Sequence, residues 1–198
     1  MSLVRLTQPA WEPVTVAEAF THLRVDGYGE SPAHPDLDLI TSMVTVAREY
    51  VEDHCGLSVS PSDWRYALDD LPDTIVLPLR PVRSVAQVTY LDTDGVRQVL
   101  DPALYEVTSE GHVVRSWQAD YPEHRHWPDS VQVDFTAGYT DSLSPADEDP
   151  LPLRIKQAAL LVVGHLYENR EQTITGTTVA EVPLGVWQLL RTFRRAIL

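Results

Sequence analysis

His165-Leu166-Tyr167-Glu168-Asn169-Arg170-Glu171 gathers an imidazole, two carboxylates, a carboxamide and a guanidinium at the end of an apolar helical pattern. Such a set can hold a metal, move a proton or meet a polar partner. With 100° per residue and Ile155 as origin, Ala158, Ala159, Val162, Val163, Leu166 and Tyr167 share one broad arc that faces a core. Gln157, Gly164, Glu168 and Glu171 fall opposite, and His165 sits on the border at about 280°. His165 and Glu168 are therefore neighbours at i, i+3. A carboxylate-bridged metal site in a bundle takes a Glu-x-x-His pair from each of two helices, and here one pair runs in reverse order with no second copy. No metal ligand and no catalytic residue is assigned.

Two details of the stretch point to contacts. Gly164 costs up to about 1 kcal/mol against alanine in mid-helix, which is tolerable where another backbone must come close. Asn169 and Arg170 fall on the core azimuth, so either the helix ends there or they meet a polar group. Gly164, His165, Glu168, Asn169, Arg170 and Glu171 are the expected partner or subunit contacts.

Other clusters are weaker. Glu123-His124-Arg125-His126-Trp127-Pro128-Asp129 offers two histidines at i, i+2, but a structural zinc site needs four defined ligands and the single Cys55 lies about 70 residues away. A charged surface loop is expected. Asp92-Thr93-Asp94-Gly95 has the oxygen-rich look of a calcium loop yet lacks the later ligands and distal glutamate of an EF-hand, whereas an Asp-Gly hairpin turn needs only these residues. Neither Gly-x-Ser-x-Gly nor a phosphate-cradling glycine motif occurs, so no cofactor is expected. Cys55 lies in a helical pattern, where a buried, inert thiol is expected.

The chain has 198 residues and a formal net charge of -14. Residues 1–150 hold 26 acidic against 9 basic side chains, while residues 151–198 hold 3 against 6. Only the last segment would attract a polyanion, so binding of DNA in a broad basic groove is disfavoured. No apolar run approaches the roughly 20 residues that span a bilayer, and the N-terminal residues lack the apolar core of an export signal. No membrane partner is expected, and a reducing cytoplasm fits.

The elements that must position these residues follow from periodicity. Thr15-x-x-Glu18 is a capping box for a short helix over about 16–24. After the loop at 27–36, Leu37, Ile40, Val44, Ala47 and Val51 recur at helical steps, Gly56 supplies a stop, and Arg48, Glu49, Glu52 and Asp53 read as a solvated face. Short β-type runs occupy 64–68, 74–77, 84–91, 96–100, 105–108, 112–117 and 131–136, and Val131 to Phe135 alternates as a sheet with one wet face requires. A polar linker at 141–152 leads to a third helix over about 153–170. Thr173–Val182 reads as an arm, and a last helix carries Trp187, Leu190 and Phe193, with Arg191, Arg194 and Arg195 around it. The fold class is α+β, with 1–60 and 150–198 forming a discontinuous helical core and 61–149 a β-rich module.

Taken in order, several segments resemble the phage head–tail connector family, the head completion or adaptor proteins with relatives in gene transfer agents. They include Val14–Ala19, His22–Asp26, Leu77–Val82, Val88–Asp92, Phe135–Tyr139, Ile155–Ala158, His165–Glu171 and Val182–Val186. The resemblance spans nearly the whole chain, and its specificity lies in order and spacing. It implies a non-enzymatic subunit of a ring, commonly of twelve copies, beneath the portal. Such a ring extends the DNA channel and receives the next tail component, a stopper or tail terminator. It also implies a helical core with the β-rich module inserted between the second and third helices, and assembly in the host cytoplasm followed by residence at the head–tail junction. Arg191, Arg194 and Arg195 are the expected portal or DNA contacts, unless they serve only their own helix terminus. Two other readings stay open: a nucleic-acid-binding module using the basic last helix, and a metal-dependent enzyme using His165 with Glu168 or the 124–126 loop.

Overall fold

The computed structural model describes residues 1–30, 33–141, 149–170 and 184–194. The fold is α+β, and the chain divides into two compact units, one of residues 1–10 and 60–139 and the other of residues 11–59 and 140–198.

The first unit is built from antiparallel strands. In chain order they are β1 (Ser2–Arg5), β2 (Ser62–Leu68), β3 (Thr74–Val76), β4 (Val82–Leu91), β5 (Arg97–Val99), β6 (Tyr105–Val107), β7 (His112–Arg115) and β8 (Val131–Ala137). Five of them form a sheet in the order β1-β2-β8-β4-β5, and three form a smaller sheet in the order β3-β7-β6. All seven strands expected from the β-type runs are present within two residues at each end. β1 is the addition: Leu3 pairs with Tyr66 and Arg5 with Trp64, which carries the first ten residues into the sheet unit. Four residues are too few for a period of two to stand out, so only the pairing reveals this strand.

β8 is central, and Val131, Val133, Phe135 and Ala137 are buried while the residues between them are half-exposed. They join Leu68, Ile75, Leu77, Val88, Leu100 and Val113 in one apolar core. On the wetter face Asp134 accepts two hydrogen bonds from Arg65, Nε at 2.7 Å and Nη2 at 2.8 Å, and a third from Gln87 at 3.0 Å. These bonds, Arg65 foremost, hold the Asp134 carboxyl below the ordinary aspartate range despite its burial. After β8 the chain turns through Gly138 at φ +136°, where a Cβ would lie 2.3 Å from the backbone of Ser60. No L-residue fits there without displacing that backbone.

The second unit is helical: α1 (Val16–Leu23), α2 (Leu37–Cys55), α3 (Leu153–Glu168) and α4 (Leu184–Leu190). α1 begins with the expected capping box, Thr15 Oγ1 accepting from the Glu18 N–H at 3.2 Å and Glu18 from the Thr15 N–H at 3.0 Å. Gly56 closes α2 in the left-handed conformation, its N–H donating to the Glu52 carbonyl. α3 packs against the other three helices and buries Ile155, Ala158, Ala159, Val162 and Val163. Cys55 is buried, as expected.

One expectation for α2 is overturned. Arg48 and Glu52 do pair at i, i+4, Nη1 to Oε2 at 2.7 Å, but their side chains are only 3% and 6% exposed. Arg48 Nε also donates to Glu12 at 2.9 Å, and the second Glu52 oxygen accepts from the Val59 N–H at 2.8 Å. Their azimuths, about 20° and 60° from Leu37, lie inside the buried arc. Charge type suggested the wet face and angular position contradicted it. The pair persists inside because Glu12 and the Val59 amide satisfy what water would have satisfied.

Candidate contact site at the end of the third helix

α3 ends at Glu168, and Asn169 caps it with its backbone N–H on the His165 carbonyl at 3.0 Å. The Asn169 side chain donates to the same carbonyl at 3.0 Å and lies 3.3 Å from His165 Nδ1. His165 is thus oriented by Asn169 and forms no ion pair with Glu168, which is exposed.

Tyr167 and Arg170 meet at Asp36, the residue that precedes α2. Tyr167 donates its hydroxyl to Asp36 Oδ2 at 2.8 Å, and Arg170 Nη2 reaches the same oxygen at 3.0 Å. The Arg170 guanidinium also lies over the Tyr167 ring, 4.2 Å from its centroid. Asp36 makes no capping bond of its own to α2. The Tyr167 hydrogen bond first, and Arg170 second, hold its carboxyl below the usual aspartate range. The same bond raises the Tyr167 phenol above its ordinary value. Both alternatives left open by the azimuth of Asn169 and Arg170 are therefore realised: the helix ends, and Arg170 finds a polar partner in its own chain.

At Gly164 the close neighbour is a side chain: a Cβ there would come 3.4 Å from His22 Nε2 of α1. Beside this contact an open groove of about 390 Å³ is lined by Ala17, Glu18, Thr21, His22 and Leu160. The Glu18 carboxylate at its edge is held by Lys156 at 2.6 Å. Glu171 lies outside the described residues.

The remaining candidates have structural uses. His124 Nε2 lies 2.7 Å from Asp70 Oδ1, and His126 Nδ1 lies 3.9 Å from the same oxygen. Among the described residues no group of three or more His, Cys, Asp or Glu is placed to hold a metal ion. Asp92 forms the hairpin turn: its Oδ1 accepts from the Asp94 and Val96 amides at 3.1 and 2.8 Å, its Oδ2 accepts from Gln98 at 2.9 Å, and Gly95 takes φ +82°. Its carboxylate is committed to the turn.

On α4, Val186 and Leu190 are buried, while Trp187 is exposed and packs edge-on against His54 of α2 at 4.3 Å. His54 in turn stacks on Tyr50, 6.0 Å between centroids. Burial foremost, and Arg194 next, hold the His54 ring below the ordinary histidine range. Arg191 and Arg194 are exposed, and Arg195 lies outside the described residues. Of the three apolar residues expected along one side of this helix, Leu190 is buried, Phe193 half-buried and Trp187 exposed.

Fold comparison carries the next step. A chain from the neck of an empty gene transfer agent particle, computed with C6 symmetry, superposes with a TM-score of 0.75 at 25% identity, covering 100% of this chain and 97% of that one. The chain is similar to a gene transfer agent neck component. A chain in the virion of a native gene transfer agent particle matches with the same TM-score, identity and coverage. A third, from the neck of the native particle computed with C12 symmetry, matches in fold with a TM-score of 0.73 at 22% identity. No protein-family model matches the chain, and no curated protein does.

Sequence reasoning missed Asp36 as the hub for Tyr167 and Arg170, and His54 with Tyr50 as the support of Trp187. An aspartate preceding a helix reads as a cap, and nothing local says that its carboxylate turns toward a helix more than 100 residues later. His54 and Tyr50 carried one usable signal, their i, i+4 spacing on α2.

Proposed function

We propose that this chain is a structural head–tail connector subunit. It assembles as a ring of twelve beneath a portal, extends the DNA channel and receives the next tail component. The observation that carries the reading is the full-length likeness to a gene transfer agent neck chain at 25% identity, both units included. The rotational symmetry of that neck favours a ring, and sixfold symmetry divides evenly into twelve subunits. Charge supports the same reading on independent grounds. A lumen rich in lysine would grip DNA at each phosphate, whereas a subunit with net charge -14 lets it slide.

In this reading the helices form the connector core, and the sheet unit, apart from its first ten residues, is an insertion between α2 and α3. Gly164, His165, Glu168, Asn169, Arg170 and Glu171 lie toward a neighbouring subunit, Glu168 and Arg170 being exposed among the described ones. Arg191, Arg194 and Arg195 face the portal or the DNA. The role needs neither a catalytic group nor a cofactor, and it places the protein in the host cytoplasm during assembly and at the head–tail junction afterwards.

Electron microscopy of the chain mixed with its portal, or of whole particles, tests the proposal. Ring density for this chain at the junction is the expected result, and its absence from the junction overturns the reading. A monomer in free solution is compatible with it, because a portal can supply the binding energy that assembly needs.

A further inference from the structure

β7 and β8 are joined by residues 116–130, none of which lies in a helix or strand. An ordered connection of such length inside a compact unit is uncommon and usually carries function. This one bears the exposed Trp117 and Trp127. Backbone amides tie its second half to the rest of the sheet unit: Arg125 donates to the Leu91 carbonyl at 2.9 Å, Trp127 to the Asp69 carbonyl at 3.3 Å and Asp129 to Asp69 Oδ1 at 3.2 Å. The His124 side chain, 22% exposed, adds to them. Its Nε2 lies 2.7 Å from Asp70 Oδ1, in the turn between β2 and β3. Its Nδ1 lies 3.2 Å from the Pro122 carbonyl oxygen of its own loop.

Both neighbours of the ring are oxygens that only accept. A neutral imidazole has one N–H, so in either tautomer one of its nitrogens turns a lone pair toward an oxygen lone pair. The imidazolium donates to both, and its bond to the carboxylate becomes charge-assisted. We propose that His124 is a pH-sensitive fastener of this loop: protonated, it ties the Trp127 stretch to the turn at Asp70, and neutral, it lets that stretch loosen.

The surrounding charges leave Asp70 to His124. Asp69 is taken by the Asp129 amide and by the terminal ammonium of Met1 at 3.8 Å. Asp129 accepts from the Ser2 hydroxyl, and Asp73 and Asp120 both meet Arg115. Arg125 lies over the Trp127 ring, Glu123 is exposed, and Asp92 is committed to its hairpin. His126 reaches the same Asp70 oxygen only at 3.9 Å and is 76% exposed. The His124 bond first, and the Leu71 amide next, hold the Asp70 carboxyl below the ordinary aspartate range. Fastening is therefore complete above the unfolded aspartate value of about 3.9 and is lost as pH falls through the lower folded one. At the other end it weakens as pH rises through the histidine range and the second ring proton leaves. The inference stands on this geometry and does not depend on the connector reading.

Hydrogen exchange of the full chain, followed by nuclear magnetic resonance at about pH 5 and about pH 8, tests the proposal. Rates are expressed as protection factors, which remove the intrinsic pH dependence of exchange. The Trp127 and Asp129 amides are expected to be about tenfold better protected at the lower pH, the difference between a charge-assisted and a neutral hydrogen bond. The Val133 amide, in the middle of β8, is the internal reference and is expected to change less than about twofold. His124→Gln keeps a neutral donor and acceptor at the site and is expected to abolish the difference. Asp70→Asn, which retains an acceptor for the Leu71 amide, carries the same expectation should His124→Gln fail to fold. His126→Gln is expected to leave the difference intact. Val133 protection and circular dichroism matching those of the unaltered chain establish that each variant folds. Equal protection at the two pH values in the unaltered chain overturns the proposal, and so does a difference that survives His124→Gln or Asp70→Asn. A difference abolished by His126→Gln assigns the effect to the other histidine and equally overturns it.

Discussion

Tyr167 donates its hydroxyl hydrogen to Asp36 across 131 positions of sequence, joining the end of α3 to the start of α2 at 2.8 Å. Arg170 shares the same carboxylate oxygen. One carboxylate thus holds the side chains of Tyr167 and Arg170, one on each side of the Asn169 cap that ends α3.

That relationship predicts a pH-dependent contribution to stability. The Asp36 carboxyl is held below its ordinary value in the folded chain, chiefly by Tyr167 and then by Arg170. The stabilisation is therefore fully present above the unfolded aspartate pKa of about 3.9 and is lost as pH falls through the lower folded value. Tyr167→Phe is expected to lower the thermal midpoint at pH 7 and to narrow that difference as pH drops below about 4. Thermal melts from pH 7 to pH 2.5 check it, and a difference that stays constant across the range would refute the assignment.

Removal of a partner from the buried Arg48 pair should be costly. Arg48→Met leaves Glu52, 6% exposed, without its counter-charge. The expected loss is about 3–5 kcal/mol, against a few tenths for an exposed i, i+4 pair. Urea unfolding measures it. A loss below about 1 kcal/mol would return the pair to the surface class that its charges first suggested.

Gly138→Ala should destabilise the sheet unit by roughly 1–3 kcal/mol or more, since it adds a left-handed backbone penalty to a clash with Ser60. Gly29→Ala is the informative control, because a Cβ there meets nothing within 4 Å although φ is also positive at +81°. Comparison of the two by urea unfolding separates backbone strain from steric overlap, and equal losses would remove the clash from the account.

Calcium should leave the chain unaffected. Asp92 directs both carboxylate oxygens to the hairpin between β4 and β5. Millimolar calcium is therefore expected to leave the thermal midpoint unchanged, whereas Asp92→Ala should speed hydrogen exchange at the Val96 amide. A midpoint that rises with calcium would restore the ion-binding reading of Asp92-Thr93-Asp94-Gly95.

Much of this architecture was legible in local pattern. The capping box at Thr15 and Glu18, the left-handed stop at Gly56, the alternation of Val131 to Phe135 and the Asp-Gly hairpin all depend on residues within a few positions of one another. Angular position on a helix, a local property too, placed Ala158, Ala159, Val162 and Val163 in the core and Glu168 outward, while Leu166 and Tyr167, on the same arc, are half-buried. Used for Arg48 and Glu52, the same angle would have placed them in the core.

What sequence alone determined is the helices, the strands other than β1, their order and most of their apolar faces, because backbone hydrogen bonding and burial impose periods of 3.6 and 2 on the residues themselves. Tertiary structure alone decided that β1 completes the edge of the large sheet, that Asp36 receives Tyr167 and Arg170, and that His54 backs an exposed Trp187. The reason is physical: a polar side chain carries no record of its partner in its neighbours along the chain, since any acceptor brought within about 3 Å by packing will serve.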